Sequence, residues 1–148
     1  MKIIFSKRPG NLISWLIRKW IKKPYSHTAF SVNLFNTDLI FESSVEGVNV
    51  VTLNDFLIKN EIVKEYDISE LVKKELLMQY LFSNIDGGFS FISFVGILFK
   101  NKTIGMDGEK EMICSEFVAR AIGMNAVDLD HVSPKEVEDY ILKRFKNE

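Results

Sequence analysis

Between Ser26 and Thr52 the chain consists of three runs of β-branched and aromatic residues parted by short turn signals, and this pattern constrains the fold more than any other. The runs are His27 to Leu34, Leu39 to Ser43 and Val48 to Val51, separated by Asn36-Thr37-Asp38 and by Glu46-Gly47. Connections this short join antiparallel neighbours, because a parallel pair needs a crossover of about a dozen residues. A three-stranded antiparallel meander is therefore expected. Lys2 to Phe5 reads as a further short strand ended by Pro9-Gly10, and Glu61 to Tyr66 alternates well enough to be a fourth strand of the sheet.

Helical spacing surrounds these strands. After Asn11, a residue suited to an N-cap, Leu12, Ile13, Leu16, Ile17, Trp20 and Ile21 recur at steps of three and four, with Arg18, Lys19, Lys22 and Lys23 on the other side and Pro24 as a stop. Thr52 to Phe56 reads as a short capped helix. Ser69 is expected to cap a helix running to about Phe82 on the face Leu71, Val72, Leu76, Leu77, Tyr80 and Leu81. Asn84 to Gly88 breaks the pattern, Phe89 to Phe99 is rich in phenylalanine, and Lys100 to Lys110 reads as an exposed loop. Five of the 12 phenylalanines fall between Phe82 and Phe99, which makes that tract core or the cover of a hydrophobic site. Two more helices follow, one from Cys114 to about Gly123 and one opened by Ser133-Pro134-Lys135-Glu136. With no repeat, low-complexity segment or long linker, residues 1–148 are expected to form a single α+β domain with a small antiparallel sheet packed against helices.

The composition has the ordinary balance of a compact domain: 47% hydrophobic, 26% charged, formal net charge -1. Such a balance disfavours a general nucleic-acid binder. It also hides an asymmetry. No Asp or Glu occurs from Met1 to Thr37, where Lys2, Lys7, Arg8, Arg18, Lys19, Lys22 and Lys23 stand unopposed, so the remaining twelve basic residues face all 20 acidic ones. The basic first helix with Trp15 and Trp20 has two readings: a contact for an anionic membrane or wall surface, or a core-packed helix with a solvated basic side. The 11-residue tract Phe89 to Phe99 is shorter than the roughly 18 apolar residues a transmembrane helix needs. Leu12 to Ile21 is interrupted by Ser14, Arg18 and Lys19 and lacks the features of a signal peptide. A cytoplasmic protein is the expectation, or a phage-encoded one released by lysis.

A single cysteine, Cys114, leaves no intramolecular disulfide and no thiolate-rich zinc site. At the start of a helix a thiol meets the positive end of the macrodipole and free backbone N–H groups, which favour the thiolate and could form half of an oxyanion hole. Simple core packing is the competing account. His27 is the natural base: it shares a strand face with Ala29, Ser31 and Asn33, opposite the core face of Thr28, Phe30, Val32 and Leu34. A satisfied structural histidine is the alternative. Glu42, 15 residues on and among apolar neighbours, is the candidate third member that would hold the imidazole, with a solvated strand face as the alternative and Ser31 or Asn33 as substitutes. Asp38, Glu46 and Asp55 are better explained as turn and cap residues. His131 reads as a loop residue, and a metal site of His27, Glu42, Cys114 and His131 lacks supporting ligand spacing. No metal or cofactor is expected, and no glycine-rich phosphate loop is present.

The order of these segments carries a resemblance. Tyr25-Ser26-His27-Thr28-Ala29-Phe30 after an amphipathic helix, then Phe41-Glu42-Ser43-Ser44 with Gly47-Val48, then Cys114-Ser115-Glu116-Phe117-Val118 and finally Ser133-Pro134, resembles the circularly permuted branch of NlpC-like papain-fold enzymes. That branch includes bacterial cysteine peptidases or amidases of the YiiX type and is similar in fold to lecithin:retinol acyltransferase. It carries histidine before cysteine. The resemblance implies Cys114 as nucleophile, His27 as general base and Glu42 as polar third member, acting through a thioester on peptide, peptidoglycan or isopeptide amides. Lipid or thioester acyl transfer or deacylation, and a non-catalytic binding module on the same fold, are the alternatives it leaves open.

Overall fold

The computed structural model describes residues 1–44, 46–85, 113–124 and 132–145. Within them lie five strands, β1 (Lys2–Lys7), β2 (His27–Leu34), β3 (Thr37–Ser44), β4 (Gly47–Thr52) and β5 (Glu61–Asp67), and five helices, α1 (Leu12–Ile21), α2 (Leu53–Lys59), α3 (Lys74–Ser83), α4 (Cys114–Ala121) and α5 (Pro134–Phe145). The architecture is α+β. All strands pair antiparallel in the order β4-β3-β2-β1-β5.

The meander β2-β3-β4 is present, but the strand from Glu61 does not extend it. That strand pairs with β1, which lies between β2 and β5. The physical reason is in β1 itself: Ile3, Ile4 and Phe5 are consecutive and all buried, so both faces of that strand must be covered and it cannot serve as an edge. The first hairpin also turns earlier than its composition implies. Leu34 pairs with Thr37, leaving Phe35 and Asn36 as a two-residue turn with φ of 51° and 61°. Positive φ at both positions matches the right-handed twist of the strands, and the Asn33–Asp38 side-chain bond of 2.8 Å closes the turn.

Each face of the sheet buries its own set. Ile3, Phe5, Phe30, Val32 and Phe41 meet α3, α4 and α5 through Leu77, Leu81, Phe117, Val118, Val137 and Ile141. Thr28, Phe30 and Val32 do point to this core, as their alternation implies. Ile4, Ala29 and Ile40 point the other way and are covered by Phe56 of α2. Thr52 caps that helix, its hydroxyl accepting from the Asp55 amide at 3.2 Å.

Helix α3 starts at Lys74, later than Ser69. The Ser69 amide instead donates to Asp67 at 2.8 Å and its hydroxyl accepts from the Met1 amino group at 2.9 Å, so this serine ends β5 in a turn. Helix α4 ends in a Schellman arrangement: Met124 N–H reaches the Ala119 carbonyl and Gly123 N–H that of Arg120, with Gly123 at φ 74°. Helix α5 opens with the expected capping box, Ser133 and Glu136 bonding reciprocally. The phenylalanine tract 89–99, the stretch 100–110 and His131 fall outside the described residues. Among the described residues no helix is long and apolar enough to cross a membrane.

Candidate active site

His27 opens β2 and Cys114 opens α4, so both stand at element ends where side chains can converge without disturbing a ladder. His27 Nε2 lies 2.7 Å from Glu42 Oε2. Continuing the β2–β3 register, in which Phe30 faces Phe41, sets Glu42 opposite Ala29, two residues along from His27 and on the same face. A diagonal pair of this kind is within reach of long side chains. The His27 ring also stacks on Phe56, with centroids 6.3 Å apart and planes at 27°. Phe56 of α2 therefore shields the imidazole on one side.

The Cys114 sulfur lies beside His27 and Thr28, and its interactions with both favour the thiolate. Because Nε2 is engaged by Glu42, Nδ1 is the ring nitrogen left for the sulfur. Helix α4 is placed by its own neighbours: Phe117 packs edge-on against Phe30, and the buried Ser115 hydroxyl donates to the Val132 carbonyl at the entry to α5. Ile113 N–H donates to Glu116 at 3.2 Å, and the first-turn amides beyond it have no acceptor inside the helix.

The electrostatics divide charge between these groups. Burial pushes the Cys114 thiol up, but the neighbouring imidazolium and Thr28 outweigh it, and the net shift is downward. For His27 burial pushes the imidazole down, while the thiolate and the Glu42 carboxylate hold it above the ordinary histidine range. Glu42 is raised by burial and lowered more by His27, with help from Arg8 and Lys59. The favoured state is thiolate, imidazolium and carboxylate in a row.

These three residues line a cleft of about 460 Å³ between α1 and α2. Ile13, Ile17 and Trp20 form its apolar wall, and Arg8, Glu46, Asp55 and Lys59 its polar side. Asp55, in the first turn of α2, bonds the Thr52 cap through its amide and its carboxylate, and the Glu46 amide bonds the Ser44 hydroxyl, so their turn and cap roles hold although both line the cleft. Asn33 is spent on Asp38 at the hairpin and is not part of the site. Among the described residues no group of three or more His, Cys, Asp and Glu side chains is arranged to hold a metal ion.

Two features lay beyond the sequence reading. Ser14 and Ser26 join their hydroxyls at 2.7 Å, and the Arg8 amide donates to Ser14 at 3.2 Å, which pins α1 to the residue that precedes β2. Glu138 is fully buried and takes four donors: Lys23 and Tyr25 at 2.6 Å on one oxygen, Lys64 and Tyr66 at 2.8 Å on the other. It ties α5 to β5 and to the segment two residues before His27. Its signal in the sequence was an acid beside Val137 on the inward face of α5, with Lys64 and Tyr66 sharing one strand face. Compared with known proteins, the chain matches no family model and no curated sequence.

Proposed function

We propose that the protein is a cysteine-dependent amidase or peptidase of the permuted, papain-like kind, working by acyl transfer through a thioester on Cys114. The observation that carries this reading is the convergence of Cys114, His27 and Glu42 in one cleft from three separate elements. The Cys114 thiolate adds to the amide carbonyl. The C–N bond then breaks as His27 gives its proton to the departing amine, leaving an acyl thioester and a neutral imidazole. His27 next takes a proton from water, the resulting hydroxide equivalent displaces the thiol sulfur, and the carboxylic acid leaves. Glu42 holds the ring and supports each imidazolium state. First-turn amides of α4 stabilise the oxyanion. The chemistry needs a reduced thiol, so a reducing compartment belongs to the reading.

A second reading, deacylation or transfer of lipid acyl groups, is favoured by the apolar wall of Ile13, Ile17 and Trp20 in the cleft that Cys114 lines. The two differ in what supplies and what accepts the acyl group. Incubation with small peptides, peptidoglycan fragments and short-chain phospholipids separates them. Cys114-dependent release of an amine from peptide or peptidoglycan supports the amidase; consumption of phospholipid alone replaces it with the lipid reading. Binding without turnover of any of them points to a non-catalytic module.

A further inference from the structure

The first helix is turned away from the orientation its apolar residues imply. At about 100° per residue Leu12, Leu16, Trp20, Ile13, Ile17 and Ile21 succeed one another around about half of the helix surface. Only Ile21 and Ser14 are buried, because the Ser14–Ser26 hydroxyl bond sets the inward direction at one margin of that arc. Leu12 is 69% and Leu16 44% exposed, and Trp15 and Ile13 are exposed beside them. Across the cleft, α2 presents Ile58, 78% exposed. Ile13 and Ile58 both line the cleft, so its rim is apolar on both sides.

Charge accompanies this surface. Arg8, Arg18, Lys19 and Lys22 lie on or next to α1, and none of them makes an ion pair among the described residues. Lys19 Nζ rests 4.5 Å over the exposed Trp15 ring. An amphipathic cation and aromatic pair of this kind suits an interface with an apolar and a wet side. No acid occurs before Asp38, so none lies on α1 itself; Glu42, Glu46 and Asp55 line the cleft beside it. A soluble polyanion would use the cations but leave Leu12, Leu16 and Ile58 in water, and a protein partner has no special need of unpaired cations around leucines. An anionic lipid surface uses both.

We infer that α1 and the adjoining tip of α2 form a docking surface for the face of an anionic lipid bilayer, with Leu12, Ile13, Trp15, Leu16 and Ile58 entering the headgroup boundary and Arg8, Arg18, Lys19 and Lys22 meeting the lipid charges. Docking in this way turns the mouth of the cleft toward the bilayer. The inference concerns binding and does not depend on the proposed chemistry.

The experiment is co-sedimentation of the full chain with vesicles of phosphatidylcholine alone and with vesicles in which part of it is replaced by phosphatidylglycerol. Binding to the anionic vesicles only, weakened by salt, is expected. In Trp20→Phe the Trp15 emission should move to shorter wavelength on binding. Lys19→Gln with Lys22→Gln should weaken binding roughly thirtyfold, at about fivefold per cation. Leu12→Ser with Leu16→Ser should weaken it at least about tenfold, and exposure of both leucines keeps the fold intact, as circular dichroism would confirm. Cys114→Ala should bind like the parent, so failure of docking and failure of the catalytic reading are separate results. Docking is overturned by absence of binding, by equal binding to neutral vesicles, or by indifference to the leucine substitutions. Soluble polyphosphate shifting Trp15 emission as the vesicles do, or a dimer that buries Trp15, overturns it too.

Discussion

Glu42 Oε2 and His27 Nε2 are 2.7 Å apart on one face of neighbouring strands, which leaves Nδ1 of the imidazole for the Cys114 sulfur. The carboxylate thereby fixes both the ring's orientation and its tautomer. Replacing Glu42 by Gln keeps an acceptor oxygen and removes the charge that supports imidazolium, whereas Ala removes both. Turnover is expected to fall in the order parent, Gln, Ala, with losses of about a hundredfold for Ala. Steady-state kinetics on whichever of the peptide, peptidoglycan or phospholipid probes is turned over would show it. Near-parental turnover in Glu42→Ala, with His27→Ala inactive, would remove Glu42 from the mechanism.

Cys114 should react as a thiolate well below the ordinary thiol range. Its pKa is lowered and that of His27 raised, so the thiolate–imidazolium pair forms as pH rises through the lowered cysteine value and is lost only above the raised histidine value. Iodoacetamide should therefore label the native protein near pH 6.5, where free cysteine with its pKa of about 8.5 is mostly protonated. His27→Ala should move the labelling profile to higher pH. Labelling that requires denaturant would identify an inert core thiol.

Glu138 makes a separate prediction about stability. Its carboxyl is held at about 2, burial pushing it up and the hydrogen bonds from Lys23, Lys64, Tyr25 and Tyr66 pulling it down further. A carboxyl with a depressed folded pKa stabilises fully above its unfolded value of about 4.3, and the contribution fades as pH falls toward 2. Urea midpoints should drop between pH 5 and 3 in the parent, where the unfolded chain takes up a proton on Glu138 that the folded one does not. Glu138→Gln should flatten that drop and cost about 2 kcal/mol or more at pH 7, because Gln keeps one acceptor oxygen but sets an NH2 group against the two donors that bonded the other, and the charge that Lys23 and Lys64 faced is gone.

At the hairpin tip Phe35 is fully exposed and adopts φ 51°. A side chain there gains no packing and bears the strain of the left-handed region, which Asn tolerates better. Phe35→Asn should raise stability by about 0.5–1 kcal/mol, measurable as a higher midpoint of thermal unfolding. An unchanged or lower midpoint would mean that Phe35 contributes something the folded monomer does not show.

Local chemistry was enough to mark most elements of this protein. Alternation between Ser26 and Thr52 specified the meander; Asn11, Thr52 and Ser133 marked helix starts because capping uses neighbours two or three residues away; and the same alternation placed His27 and Glu42 on strands. What depended on distant residues was decided only by tertiary packing. The place of β1 between β2 and β5 follows from covering Ile3, Ile4 and Phe5 on both faces. The rotation of α1 follows from one hydroxyl pair, Ser14 with Ser26, which no helical period reveals. Glu138 gathers donors from two distant parts of the chain, up to 115 residues away. Cys114 meets His27 because α4 packs its Phe117 on Phe30, 87 positions apart in sequence for each pair. Periodicity records which face of an element is apolar; which other face it meets is settled by the summed burial of the whole domain, and that quantity is not local in sequence.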